Sequence, residues 1–239
     1  MTPPSLAHYN ALAKARGIVS GNGLALCFVP PDDLDMGYEL RAFRRGEVVT
    51  RENNWHDAYN ADVWLEFPRA KAAANRRHAD ELQVIAHGRP PCRGRVRDRL
   101  TQFDECGVVV VGMPQALWQA LCAHRWREVF VDHRRELLAS TRFLIFGHAS
   151  RDALRAPYIG VCGKMIRLDD VDAADTPEAI DTALARRLAS ADFGERFPVL
   201  PLLGIPGMTP ANEVADYYDD HRQFRPPRRM GAGSSPDSR

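Results

Sequence analysis

The sequence predicts an α+β protein: a single helix-rich domain with a small mixed or antiparallel sheet. Three observations predict it. Stretches with apolar residues at helical spacing, Asn53 to His78 and Met113 to Leu138 among them, alternate with apolar runs of strand length at 24–29, 108–111 and 142–146. The 45% apolar and 26% charged fractions are those of ordinary globular chains, which excludes a fibrous or largely disordered protein. At 239 residues the chain is long enough for one full core. The expected organisation is an N-terminal helical extension at 1–19, one globular domain at 20–224 and a disordered basic tail at 225–239.

In order, residues 5–16 combine Ala, Leu and Lys in a short helix that stops at Gly17. Leu24 to Val29 reads as a buried strand closed by Pro30 and Pro31. Tyr38 to Phe43 with Glu47 to Thr50 reads as a hairpin turning at Arg45 and Gly46. Gly17, Gly21 and Gly23 do not form a phosphate loop, because they precede a strand and lack the Lys-Ser/Thr pair.

Asn53 and Asn54 are good N-cap residues, and Asp57 falls in a first turn where a carboxylate complements the helix dipole. His56, Asn60, Val63 and Trp64 then share a face with polar residues at its top. Pro68 ends that helix and suits the first turn of another, whose face carries Lys71, Asn75, His78 and Leu82. Trp55, Val63, Trp64 and Phe67 are read as core anchors of this corner.

Residues 88–99 form a basic loop, and alternation would put Arg93, Arg95, Arg97 and Arg99 on one side of an extended segment, an anion or phosphate-backbone clamp. The competing reading is a solvated face with Asp98 as an ion partner. Asp104 and Glu105 are expected at a turn before the strand at 108–111. A long helical region follows from Met113, then a strand ending at Gly147-His148, a strand-like 158–168, a helix from about Thr176 to Ala189 capped by Thr176-Pro177-Glu178, and an extended Pro-rich run at 198–207.

The blocks N-W-H-D-x-x-N-A-x-x-W-x-x-F-P-x-x-K, L-T-x-F-D-E-x-G, F-G-H-A, G-K, L-G-I-P-G and F-R-P, in that order, resemble the bacterial family catalogued as domain of unknown function 3025. The resemblance spans roughly residues 20–229 and implies one domain and no activity. It departs from the family's pattern at Met208, where the resemblance implies Trp.

Function therefore rests on the residues. The candidate catalytic set is His56, Asp57, Asn60, Asp104, Glu105, His148 and Lys164. Imidazole with carboxylates is the inventory of general acid–base chemistry or of a divalent metal, whose identity the sequence leaves open. The leading reading is a hydrolase-type enzyme: His56 as base or ligand, Asp57 orienting it, Asp104 and Glu105 as base or ligands, His148 and Lys164 stabilising anionic charge. It requires His56, Asp104 and His148 to face one cleft within about 12 Å. The alternative is a non-catalytic nucleic-acid or polyanion-binding module using the 93–99 arginines and the tail. The order His56, Asn75, His78 is similar to that of His-metal-finger nucleases, but the first His opens a helix instead of ending a strand.

Other classes are disfavoured. No apolar run approaches the ~20 residues of a membrane span, and the N-terminus lacks a signal-peptide pattern, so no membrane partner and a cytoplasmic location are expected. Cys27, Cys92, Cys106, Cys122 and Cys162 show no C-x-x-C spacing, and the acidic neighbours of Cys106 work against a thiolate nucleophile. A net charge of +1 gives no global attraction to polyanions.

Overall fold

The computed structural model describes residues 2–86, 94–194 and 196–226. Its elements begin with α1 (Leu6–Ala15), capped by the Ser5 hydroxyl, and β1 (Cys27–Val29). Then come α2 (Tyr38–Arg45), β2 (Glu47–Val49), α3 (Trp55–Glu66), α4 (Pro68–Ala86) and α5 (Arg95–Cys106). β3 (Gly107–Val111) and α6 (Gln115–Cys122) lead through a π-helical turn at Glu128–Asp132 to α7 (Arg134–Ser140) and β4 (Arg142–Ile145). α8 (His148–Ala153), β5 (Cys162–Leu168), α9 (Pro177–Ala189) and β6 (Val199–Pro201) complete the regular structure, followed by short 3-10 turns. The helix-rich α+β expectation is met.

A mixed four-stranded sheet runs in the order β4-β3-β5-β6, with β3 parallel to β5 and the outer pairs antiparallel. β3, Gly-Val-Val-Val-Val, is buried along its whole length because helices cover both sheet faces. Successive side chains alternate, so Val109 and Val111 enter one core with Val63, Phe67, Phe103 and Leu184, while Val108 and Val110 enter another with Leu121, Trp126, Phe130 and Phe224. Met208 packs against the latter core. A third cluster joins Tyr9 and Phe28 to Ala61 and Trp64, so α1 is part of the packed body.

Three local expectations are corrected. Tyr38 to Thr50 is no hairpin: it is α2 followed by β2, and β2 pairs in parallel with β1, Cys27 opposite Glu47. Glu39 in the first turn, Arg44 and Arg45 in the last, and Gly46 at φ 69° just beyond are helix-end chemistry that outweighs the strand-like aromatics. The long helix from Met113 is broken at His124, which adopts φ 58°. Among the described residues the arginine clamp is not extended: Arg95, Arg97 and Arg99 lie on α5, where each two-residue step turns about 200°, so Arg97 points away from the other two. Arg93 and residues 227–239 of the basic tail lie outside the described residues.

Candidate active site

α3 starts where the sequence places it. The Asn54 side-chain oxygen accepts from the Asp57 backbone N–H at 3.0 Å, which fixes His56 in the first turn. Pro68 then opens α4, and the Asp181 carboxylate of α9 accepts from the helix-opening backbone N–H groups of Arg69 (3.0 Å) and Ala70 (2.8 Å). This corner turns Lys71 back on α3, where its ammonium donates to Asn60 Oδ1 at 2.9 Å.

Asp104 and Glu105 sit in the last turn of α5, not at a free turn. A helix C-terminus disfavours carboxylates, so something else must hold them. For Asp104 it is Lys71, whose Nζ lies 2.5 Å from Oδ1. Burial opposes charge on both partners, yet their mutual attraction prevails: Asp104 is held below the usual carboxylate range and Lys71 above the usual amine range. Tyr38 closes the network, accepting from Asn60 Nδ2 at 2.7 Å, and burial pushes its phenol up to about 12.

β4 delivers His148 to the same place. A side chain on Gly147 would collide with the backbone of Glu105, Cys106 and Gly107, so only Gly lets α8 start this close to the end of α5. His148, 5% exposed, has its Nε2 3.1 Å from His56 Nε2, in a contact whose donor is set by the ring tautomers. The same Nε2 is 3.6 Å from Glu105 Oε2, and Nδ1 is 3.6 Å from Asp104 Oδ2. Burial lowers the His148 pKa, against the raising influence of Asp104, so the ring favours its neutral form. These groups floor an open cavity of about 580 Å³ walled by Met36, Tyr38, Arg51 and Thr101. A larger hollow of about 1,090 Å³ lies by Arg16, Phe67 and Asp181 and contains neither imidazole.

Of the seven sequence candidates, His56, Asn60, Asp104, Glu105 and His148 therefore converge. Asp57 borders the cavity but does not orient His56: both its oxygens take the Arg51 guanidinium, at 2.8 and 2.9 Å, and one also the Arg51 backbone N–H. Burial works against its ionisation, but Arg51 outweighs it and keeps the carboxyl below its usual range. Lys164 stands on β5, opposite Gly107 and Val199, outside the cavity lining. Asn75 and His78 turn to Glu39 instead, Asn75 Nδ2 donating to its carbonyl at 2.8 Å and His78 Nε2 lying 3.8 Å from its carboxylate. Sequence reasoning missed Tyr38, read as a strand residue, and left Lys71 outside the candidate set; the shared helical spacing of Lys71, Asn75 and His78 was the available signal for the latter.

A family model described as "Protein of unknown function (DUF3025)" matches residues 26–228. The chain belongs to the DUF3025 family. No curated protein and no solved structure matches it. The DUF3025 span contains every residue of the His56–His148 cluster, while α1, whose Tyr9 hydroxyl donates to the Ala58 carbonyl at 3.2 Å, precedes it.

Proposed function

We propose that this protein is a hydrolase-type enzyme whose centre is His56 and His148 with the carboxylates of Asp104 and Glu105. The observation that carries the reading is the 3.1 Å approach of two imidazole Nε2 atoms at the floor of an open cavity, with a buried ion pair behind one of them. Imidazole titrates near neutral pH and both accepts and returns a proton, which hydrolysis needs in succession. His56, the more exposed ring, takes a proton from water as the water oxygen bonds to the electrophilic carbon. The leaving group departs with that proton. The charge of Asp104, whose Oδ2 lies 3.6 Å from His148 Nδ1, favours the tautomer with its proton on Nδ1 and its lone pair on Nε2.

The cavity's charge points to the electrophile. Its basic wall residues are already committed, Arg41 to Asp32 and Glu47 and Arg51 to Asp57, while Asp104 and Glu105 lie at its floor. An ester or amide suits these surroundings better than a phosphate, for which the lining leaves no spare arginine. The test is a panel of uncharged chromogenic esters and amides. Turnover by the wild type, lost in His56→Ala and retained in Lys164→Ala, supports the reading; activity unchanged in His56→Ala ends it. The polyanion-binding alternative rested on arginines sharing one side of a loop, and the helical placement of Arg95, Arg97 and Arg99 gives it less support.

A further inference from the structure

The donor atoms at this floor are spaced as ligands of one ion. Metal–nitrogen distances of about 2.0–2.1 Å and tetrahedral angles put neighbouring ligand atoms about 3.3–3.4 Å apart. His56 Nε2 and His148 Nε2 are 3.1 Å apart, His148 Nε2 and Glu105 Oε2 are 3.6 Å apart, and one donor atom from each of the three residues falls within 4.8 Å of the others. The surroundings are those of a ligating histidine. His148 Nδ1 is buried without a hydrogen-bond partner, and the nearest acid is Asp104 Oδ2 at 3.6 Å. A ligating imidazole commonly directs its second N–H to a carboxylate, which leaves the lone pair on the metal side. Lys71, bonded to the other Asp104 oxygen, keeps that carboxylate charged.

We propose that His56 Nε2, His148 Nε2 and the Glu105 carboxylate bind one divalent transition-metal ion, zinc being the ion their nitrogen and oxygen donors and spacing suit, with Asp104 and Lys71 as its outer support. The proposal rests on the hydrolytic reading of this site and deepens it: with the ion bound, His56 Nε2 is a ligand, and the ion takes over from that ring the activation of water. It separates the two acids, to which the sequence reading gave one shared role: Glu105 ligates and Asp104 stands behind. Two imidazoles with one carboxylate suit borderline ions, whereas magnesium and calcium want oxygen ligands. Three protein ligands leave the position facing the cavity for water, whose pKa such an ion lowers towards neutrality.

The experiment is calorimetric titration of the chelator-stripped full-length chain with zinc chloride, with and without excess magnesium. One zinc per chain, unaffected by magnesium, is expected. Asp104→Asn weakens binding about 10- to 100-fold, as loss of an outer carboxylate does, and His56→Ala weakens it further. His148 is buried, so His56→Ala and Glu105→Gln, both at partly exposed positions, decide the ligand set, with circular dichroism checking the fold. No zinc uptake by the wild type, or wild-type stoichiometry and affinity in a folded His56→Ala, overturns the proposal. Turnover by metal-free protein that binds no zinc overturns the metal and leaves the hydrolytic reading; bound zinc without turnover of any ester or amide does the reverse.

Discussion

Lys71 Nζ lies 2.5 Å from Asp104 Oδ1, and the two side chains are only 4% and 16% exposed. Such a pair is poor evidence for stability in itself, because desolvation offsets the attraction, but breaking it strands a charge. Lys71→Met is expected to destabilise by about 3–5 kcal/mol, and Lys71→Met with Asp104→Leu by clearly less than the sum of the single changes. Urea unfolding of the four proteins measures the coupling; strict additivity means that the two groups do not sense each other.

Gly147→Ala tests how the site is assembled. The added methyl collides with main chain at Glu105, Cys106 and Gly107, none of which is a flexible side-chain end. Overpacking of this kind costs about 1–3 kcal/mol. The relief available is a shift of α8 away from α5, which carries His148 off Glu105. Zinc affinity or hydrolysis is therefore expected to fall in a variant that still folds, read by calorimetry beside a thermal melt. A variant that binds and turns over as the wild type does shows the close approach to be incidental.

Tyr38→Phe removes the oxygen that accepts from Asn60 Nδ2 at 2.7 Å and from Trp64 Nε1 at 3.4 Å. A buried donor left without its acceptor costs about 1–3 kcal/mol. Since Asn60 also receives the Lys71 ammonium, the loss is expected to be non-additive with Lys71→Met. Denaturation of the single and double variants checks both statements.

How much of this was legible follows from where each determinant lies. The Asn54 cap, the Pro68 corner and the Thr176 cap of α9 are local chemistry, and the sequence-based boundaries hold there. β3 announces burial on both faces by its unbroken valines. The convergence of His56 with His148 was legible only as a requirement, since the two stand 92 positions apart and meet through β4 and Gly147. Lys71 is buried because α5 brings Asp104 to it from 33 positions away, which no helical period encodes. α2 misled for a different reason: Tyr38 and Phe43 were weighed as strand residues, whereas the Glu39 and Arg44–Arg45 end charges and the Gly46 stop were the better guide.

Asp181 hid within the apolar face of α9, between Ile180 and Ala183, and its carboxyl gives a prediction of definite sign. It is 1% exposed and accepts from two backbone N–H groups that open α4. Burial raises its pKa, and the two N–H bonds, which favour the charged form, do not overcome it. The folded chain thus holds this proton at a pH where the unfolded chain, with its ordinary value of about 3.9, has released it. Stability from this group is full below that value and is lost as pH rises through the folded value, levelling off above. Asp181→Asn is close to isosteric, keeps one oxygen acceptor and does not titrate. The stability of the wild type minus that of the variant, from urea unfolding at several pH values from 4 to 7, is expected to decrease as pH rises and then become flat. A difference that grows with pH instead means that the α4 N–H groups outweigh burial, and that Asp181 is a charged cap stabilising the corner that carries Lys71.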